Sequence, residues 1–304
     1  MQAACDNLRR LRPLLGTFVE IGADGAGALA MEAAVEAAFA AVETVHRLMS
    51  FHEESSDVSR LNRDAFKAPT EVHPWTYQVL ETALDLHSCS NGLFDIRIAP
   101  TLQKLGLLPC HRGDIQDISR TIVVGGAIEV CAGHRVRFQD PGIRIDLGGV
   151  AKGFAVDRAI DVLRGSGMPS GLVNAGGDLA AFGPKGLMVT IRDPSQPDRA
   201  LCQVELRNAA LASSGGGYDP LQSLDAQRPM VIDPASGEPV RAVTGASVRA
   251  PSCLLADALT KVVMLMAEAS APLLRQYGAS ALFVTADGEV RVSPEWQNAA
   301  VLAA

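Results

Sequence analysis

The segment Asp146-Leu-Gly-Gly-Val-Ala-Lys152 carries the most informative set of chemical groups in the sequence. An acid follows a run of β-forming residues, two glycines permit a tight turn, and a helical pattern begins near Val150. The N–H groups at the start of a helix, together with the ammonium of Lys152, would attract an anion such as a phosphate. The same pattern also fits an ordinary connection between a strand and a helix.

A second arrangement lies on a predicted helix over 252–268. Asp257, Thr260 and Lys261 share one face of this helix, because they are three and four residues apart. A carboxylate and a hydroxyl on one face can bind a hard cation such as Mg²⁺. In the alternative interpretation, Asp257 and Lys261 form a solvated ion pair that contributes at most about 0.5 kcal/mol. A Gly-Gly-Asp turn ending at Asp178 is similarly either a tight turn or a close backbone approach to a ligand.

The elements that must position these residues are helices and short strands. The predicted helices are 29–49, 74 to about 91, 151–164, 252–268 and 270 to about 277. The predicted strands are 14–21, 121–124, 127–131, 135–138, 143–146, 171–174, 187–192, 202–206, 230–232 and 242–249, with a hairpin at 287–288. Because no repeat or linker interrupts them, we expect an α+β fold with mixed or antiparallel sheets and packed helices. It would form a single compact unit over 1–304, or alternatively two interleaved lobes.

Composition and charge exclude several classes of protein. The 304 residues are 48% hydrophobic and 20% charged, so the chain can bury a core and is not disordered. Lys+Arg number 27 and Asp+Glu 34, giving a net charge of −7 without a basic stretch, which argues against nucleic-acid binding. No apolar run approaches the roughly 20 residues of a membrane span. The six cysteines lie singly, which argues against zinc and iron–sulfur sites.

The residues at the amino terminus indicate the cellular compartment in which the protein works. Cys5 follows small residues, as in bacterial lipoprotein signals, but no apolar segment precedes it and Arg9, Arg10 and Arg12 follow it. We therefore expect a cytoplasmic protein. If a signal was trimmed from this chain, a periplasmic or lipid-anchored protein is expected instead.

Several ordered motifs resemble those of the ApbE family, the FAD:protein FMN transferases. The similarity covers nearly the whole chain and includes the three segments described above. The other matching motifs are Leu14-Leu-Gly-Thr17, Met49-Ser50, Ser56-Asp-Val-Ser-Arg-Leu-Asn62, Phe94-Asp95 with Ala99-Pro100, and Ile232-Asp-Pro234 with Gly237 and Pro239. So many motifs in one order do not arise by chance.

The resemblance implies a flavoprotein enzyme. It would transfer FMN from FAD to a Thr or Ser hydroxyl of an acceptor protein and release AMP with help from Mg²⁺, and some family members hydrolyse FAD instead. The FAD-binding residues that it implies are Leu15, His52, Leu93, Phe94, Asp95, Asp146, Lys152 and Val231. The metal-binding residues that it implies are Gly149 (through its carbonyl), Asp257 and position 261, with Thr260 as the neighbouring hydroxyl.

Two positions depart from the family pattern. Met230 replaces a histidine, and its side chain cannot move a proton. Lys261 replaces a metal-binding threonine, and its ammonium would repel Mg²⁺ but could itself neutralise a diphosphate. We therefore hypothesise that Lys261 replaces or weakens the metal while FAD binding persists. In the alternative, Asp257, Thr260 and the Gly149 carbonyl still hold Mg²⁺. Asp257 and Lys261 are the candidate catalytic residues.

These departures leave three functions open. The first hypothesis is the FMN transferase, and Met230 and Lys261 favour a catalytically silent FAD-binding protein as the alternative. A Mg²⁺-dependent FAD pyrophosphatase differs from the transferase only because water attacks in place of a protein hydroxyl. The segment Thr244-Gly-Ala-Ser247 resembles the motif that such enzymes flavinylate, although a strand interior is a poor place to present a hydroxyl.

Overall fold

The computed structural model describes residues 6–25, 27–110, 126–215, 231–298 and 300–301. The chain divides into two compact units whose segments alternate along the sequence. The first unit comprises Met1–Thr44, Lys152–Ile232 and Pro239–Ala304, and the second comprises 45–151 and 233–238. The prediction of one FAD-binding domain over residues 1–304 stays a prediction.

Helices and strands alternate irregularly along the chain. In chain order they are β1 (Asp6–Leu14), β2 (Thr17–Gly25), α1 (Ala28–Met49), α2 (Asp57–Asp64), β3 (Thr70–Glu71), α3 (Pro74–Cys89), α4 (Ala99–Lys104), β4 (Ile128–Cys131), β5 (Arg135–Phe138), α5 (Ala151–Gly165), β6 (Ser170–Ala175), β7 (Asp178–Phe182), β8 (Leu187–Arg192), β9 (Ala200–Leu206), β10 (Ala209–Gly215), β11 (Val243–Ala250), α6 (Cys253–Met266), α7 (Ala271–Gln276), β12 (Ser280–Thr285), β13 (Val290–Val292) and β14 (Ala300–Val301). Short 3₁₀ helices cover Ile96–Ile98, Ala267–Ser270 and Pro294–Asn298.

An eight-stranded sheet dominates the first unit. Its strand order is β1-β2-β6-β7-β10-β11-β12-β13, and all of its neighbouring strands are antiparallel. Helix α6 packs on β10 and β11, and ten of its fourteen residues are buried. The helix predicted over 29–49 is confirmed as α1, and Met31, Val35, Ala38 and Val42 form its buried apolar stripe.

A second core in the first unit lies beside a three-stranded sheet of order β14-β9-β8. Cys202, Val204 and Leu206 alternate with more exposed residues along β9, as expected for a strand with one buried face. They join a buried cluster that includes Leu211 of β10 and the fully buried Trp296.

The second unit combines helices α2, α3 and α4 with a three-stranded sheet of order β3-β5-β4. The buried carboxylate of Asp57, at the start of α2, fixes the start of α3. It accepts hydrogen bonds from the His73 backbone N–H at 2.8 Å and from the Thr76 hydroxyl at 2.7 Å, and it pairs with Arg60. The α+β fold class with antiparallel sheets and packed helices is therefore confirmed in both units.

Four predicted strands differ from the structure or lie outside it. Of the strand predicted over 230–232, the described residues form only an isolated bridge between Ile232 and Pro239. The start of the strand predicted over 14–21 is wrong, because Leu15 and Gly16 form a two-residue turn between β1 and β2, whereas residues 17–21 belong to β2 as predicted. Residues 143–146 form no strand, because their backbone is hydrogen-bonded by a side chain and a 3₁₀ helix. The strand predicted over 121–124 lies outside the described residues, as does Met230. Strands β1, β3, β7, β10 and β14 and helices α2 and α4 had no counterpart in the prediction.

Among the described residues, we find no helix whose length and apolar content would let it span a membrane.

Candidate active site

Asp257 lies on the buried side of α6, in the second turn of the helix, and only 1% of its surface is exposed. One of its oxygens, Oδ1, pairs with the ammonium of Lys261, which also donates to the Asp257 carbonyl at 2.8 Å. The other, Oδ2, accepts a hydrogen bond from the Gly153 N–H of α5 at 3.1 Å. Both carboxylate oxygens therefore have donors within the protein.

Lys152 lies in the first turn of α5 and forms an ion pair with Asp178, the first residue of β7. The Asp178 side chain is buried, whereas part of the Lys152 side chain remains accessible. Burial lowers the pKa of Lys152, but the carboxylates of Asp178 and Asp257 outweigh that effect and raise it above its ordinary value. Lys152 is therefore an ammonium at neutral pH.

These two ion pairs form one group, which we call the lysine–aspartate cluster: Lys152, Asp178, Asp257 and Lys261. Burial and the charge of Asp257 raise the pKa of Asp178, and the charges of Lys152 and Lys261 oppose this effect, so these three groups lie within electrostatic range of the Asp178 carboxyl. Two ammonium groups balance two carboxylates. The cluster is neutral as a whole while both lysines retain some accessible surface.

Two tight turns lie at the end of the eight-stranded sheet that bears Asp178. Gly176 and Gly177 connect β6 to β7 with positive φ angles of 63° and 99°. The Gly176 N–H donates to the Phe18 carbonyl at 3.2 Å, which places this turn beside the β1–β2 turn. At that turn Leu15 has a φ of 56°, a conformation that costs a leucine about 1–2 kcal/mol. Such strain is typical of binding sites.

Thr260 faces the sheet and not the Asp257 carboxylate. Its side chain is fully buried, and its hydroxyl donates to the Asp257 carbonyl at 2.7 Å. The Ser214 hydroxyl of β10 lies 2.6 Å from the Thr260 hydroxyl oxygen. The Asp257 carboxylate is therefore paired with the Lys261 ammonium, whereas the Thr260 hydroxyl contacts the Ser214 hydroxyl of β10.

Asp157 of α5 fixes the start of α6. Its carboxylate accepts hydrogen bonds from the backbone N–H groups of Cys253 at 2.7 Å and Leu254 at 2.9 Å. These are donors that the first turn of a helix leaves without helical partners. The contact joins the two helices that carry Lys152 and Asp257. Burial raises the pKa of Asp157 to about 6 although the two N–H groups oppose this effect.

This raised pKa predicts a pH-dependent contribution of Asp157 to stability. A carboxyl whose pKa is raised by folding stabilises the folded state at low pH, and this contribution is lost as the pH rises through about 6. We expect the free energy of unfolding of the wild type, minus that of Asp157→Asn, to fall by about 2–3 kcal/mol between about pH 4 and pH 7. Urea unfolding at several pH values measures this difference. A difference that is constant with pH would contradict the prediction.

In the second unit, Asp146 lies in an extended segment that side chains and carbonyls hold in place. The Asn62 side chain exchanges two hydrogen bonds with the Ile145 backbone, at 2.9 and 2.7 Å, as a neighbouring strand would. The Asp146 N–H donates to the Ile96 carbonyl at 2.8 Å, and its carboxylate accepts from the Gly148 N–H at 3.1 Å. Burial raises the pKa of Asp146. Gly149 follows in the same turn.

Phe94 and Asp95 are fixed by a network around Arg97. The Arg97 guanidinium binds both carboxylate oxygens of Asp95, with contacts of 2.7–3.1 Å, and donates to the His87 Nε2 at 3.0 Å. Because Nε2 accepts, the His87 Nδ1 carries the proton and donates to the Phe94 carbonyl at 3.0 Å. The Asp95 carboxylate is therefore engaged within the protein. Leu93 immediately precedes this network.

The other predicted site residues are placed as follows. His52 is exposed, and its backbone N–H donates to the Ser50 hydroxyl at 3.2 Å. Val231 is buried, and its carbonyl accepts from the Val240 N–H at 3.1 Å. Thr244 lies inside β11, where its hydroxyl donates to the Val284 carbonyl at 3.2 Å, so it is poorly presented for flavinylation.

Comparison with known proteins places the chain in a family. The ApbE family model matches residues 15–283. The chain belongs to the ApbE family. A Treponema pallidum protein named FAD:protein FMN transferase is 30% identical, over 86% of this chain and 80% of the relative. A Vibrio cholerae protein of the same name is 27% identical, over 75% of this chain and 71% of the relative.

A solved structure extends this comparison to the fold. The crystal structure of the ApbE protein from Thermotoga maritima has a TM-score of 0.83 and 25% identity, and it covers 96% of this chain and 99% of its own. The ApbE-type fold predicted from the motifs is therefore confirmed.

Three contacts in this ApbE-family chain had no counterpart in the sequence prediction. They are the pairing of Asp178 with Lys152, the Asp157 contact with α6, and the Arg97–His87 network. For the first, the Gly-Gly-Asp motif marked only a tight turn or a close approach to a ligand at Asp178, without a partner for its carboxylate. The other two depend on tertiary proximity and left no local pattern.

Proposed function

We propose that this chain is an FAD:protein FMN transferase. It transfers FMN from FAD to a Thr or Ser hydroxyl of an acceptor protein and releases AMP. The lysine–aspartate cluster carries the proposal, because it fixes two ammonium groups on α5 and α6 in a chain of the ApbE family. Two ammonium groups suit a diphosphate, which carries two negative charges. The names of the relatives support the same activity.

The FAD-binding residues that we propose occur in both units. In the first unit they are Leu15, Lys152 and Val231, and in the second they are His52, Leu93, Phe94, Asp95 and Asp146. Several of them are rigidly held, which supports this role because a preorganised site loses less entropy on binding. The Asp146 N–H is bound by the Ile96 carbonyl, and Asn62 fixes the backbone of the preceding Ile145. Asp95 is held by Arg97.

The reaction is a phosphoryl transfer, in which positioning and charge stabilisation provide most of the catalysis. Lys152 is anchored by Asp178 and would bind a phosphate oxygen. Lys261 is anchored by Asp257 and would offset the charge that develops on the departing AMP. The Gly153–Asp257 hydrogen bond couples the positions of the two lysines, because it joins their helices.

The described residues fit a Mg²⁺ ion poorly. Among them, no group of three or more His, Cys, Asp and Glu side chains could hold a metal. The Asp257 carboxylate already binds Lys261 and Gly153, and the Thr260 hydroxyl binds Ser214. The mechanism above therefore uses the protein's own cations.

The proposal is tested by incubating the purified protein with FAD and a Thr-containing acceptor, followed by nucleotide chromatography. We expect the amount of AMP released to equal the amount of flavin bound covalently to the acceptor, as measured by its fluorescence. An acceptor whose Thr is replaced by Val should carry no flavin. Free FMN with AMP would identify a pyrophosphatase instead. Intact FAD that elutes with the protein would identify a flavin-binding protein.

The substitution Leu15→Gly, at the turn between β1 and β2, is expected to change stability and FAD affinity in opposite directions. Glycine removes the cost of the positive φ, so the free energy of unfolding should rise by about 0.5–1 kcal/mol. FAD affinity should fall about tenfold through the lost apolar contact. Urea unfolding and flavin fluorescence titration measure the two effects. Unchanged FAD affinity would place Leu15 outside the binding site.

A further inference from the structure

The lysine–aspartate cluster is balanced in charge by the protein alone. A divalent cation at a protein site normally offsets an excess of carboxylates. Here Asp178 is paired with Lys152, and Asp257 with Lys261. The two carboxyl side chains are each only 1% exposed, so an uncompensated charge on either would be costly. The lysines provide the compensation that a metal would otherwise have to provide.

Each oxygen of the Asp257 carboxylate already accepts a hydrogen bond from the protein. Its Oδ1 binds the Lys261 ammonium, and its Oδ2 accepts the Gly153 N–H at 3.1 Å. A metal ion on Oδ1 would have to displace the ammonium and would then lie beside two positive lysines. At such short range like charges repel strongly in a partly buried site.

The Thr260 hydroxyl, next to Asp257, does not offset the repulsion between a metal ion and the two lysines. Thr260 Oγ1 is fully buried, donates to the Asp257 carbonyl at 2.7 Å and lies 2.6 Å from Ser214 Oγ. To bind a cation, this oxygen would have to leave its contacts with β10. The hydroxyl next to Asp257 is thus committed to the packing of α6 on the sheet.

From these contacts we infer that Lys261 is the permanent cation of this site and that the protein needs no divalent metal. The inference rests on the proposed function. When FAD binds, the Lys261 ammonium donates to an oxygen of the diphosphate while Asp257 holds the side chain in place. The acceptor oxygen then bonds to the FMN phosphorus, and the bond from that phosphorus to the bridging oxygen breaks. AMP leaves with the electron pair, and the proton of the acceptor hydroxyl passes to water.

The inference is tested by measuring metal binding and FAD binding separately. Mn²⁺ is a paramagnetic probe for a Mg²⁺ site, and the loss of its free electron-paramagnetic-resonance signal reports binding without FAD. FAD affinity is measured by flavin fluorescence with Mg²⁺ and with EDTA. The proteins are the wild type, Lys261→Thr, and the control Lys67→Thr, which alters a lysine that is 70% exposed in its side chain.

We expect the wild type and Lys67→Thr to leave Mn²⁺ free and to bind FAD equally well with Mg²⁺ or EDTA. Lys261→Thr should bind Mn²⁺, and its FAD affinity in EDTA should fall about tenfold or more and recover with Mg²⁺. Lys261→Arg retains the charge and should bind FAD without a metal.

Two results would overturn the inference. One is stoichiometric Mn²⁺ binding by the wild type, which decides the question even if Lys261→Thr does not fold. The other is a folded Lys261→Thr variant that neither binds Mn²⁺ nor loses FAD affinity in EDTA. A wild type that fails to bind FAD would contradict the proposed function, while its Mn²⁺ result would still decide the role of Lys261.

Discussion

Replacing Asp257 by asparagine is expected to lower the free energy of unfolding by about 3 kcal/mol and FMN transfer by at least about 100-fold. The carboxylate is the counter-charge of Lys261 and accepts the N–H of Gly153. Removing one partner of a buried pair costs about 3–5 kcal/mol, and the partial exposure of Lys261 favours the lower value. Urea unfolding measures the stability, and AMP release measures the transfer.

Two further variants separate charge from folding in this experiment. Asp257→Asn combined with Lys261→Met removes both charges, so it should regain most of the stability but not the transfer. Asp161→Asn changes a half-exposed acid on α5 and should alter neither quantity. If Asp257→Asn kept the wild-type stability and the wild-type rate, the ion pair would have no role in either.

Gly153→Ala is expected to destabilise the protein by about 1–3 kcal/mol and to disturb the lysine–aspartate cluster. A Cβ atom at this position would collide with the Cys253 carbonyl and lie 2.9 Å from the Cβ of Asp257. Helices α5 and α6 would have to move apart, and the hydrogen bond from Gly153 to Asp257 would lengthen. Transfer should therefore fall together with stability.

The control for this variant lies on the same helix. A Cβ atom at Gly165, the last residue of α5, would meet no atom within 4 Å. Gly165→Ala should therefore leave stability unchanged or raise it by up to about 1 kcal/mol, since alanine is the better helix former. Equal losses in both variants would show that helix propensity, not the approach of α6, determines the effect at Gly153.

The sequence predicted the elements whose pattern is local. Helices α1, α5 and α6 agree with the predicted spans to within about two residues at most ends, because their apolar periodicity is strong. The turn at Leu15 and Gly16 was missed because leucine rarely adopts a positive φ. The segment 143–146 has the composition of a strand, but Asn62 and Ile96 occupy the places of neighbouring strands.

The candidate site was predictable only where its contacts follow helix spacing. Asp257 and Lys261 are four residues apart on one helix, so their pairing follows from sequence. Lys152 and Asp178 lie on a helix and a strand, and their pairing depends on how α5 lies against the main sheet. The hydrogen bond between the Thr260 and Ser214 hydroxyls, which bears on metal binding, depends in the same way on how α6 packs on β10.

The alternation of the two units along the chain affects how the protein folds during synthesis. Strand β2 pairs with β6, so Val19 has no partner on that side of the sheet until Ala175, 156 residues later, has been synthesised. A ribosome adds about 5–20 residues per second, so the wait lasts on the order of 10–30 s. Throughout it, the β1–β2 hairpin presents an open edge that another nascent chain could join. The long central segment of the second unit is complete by then, so that unit should fold first and the eight-stranded sheet last.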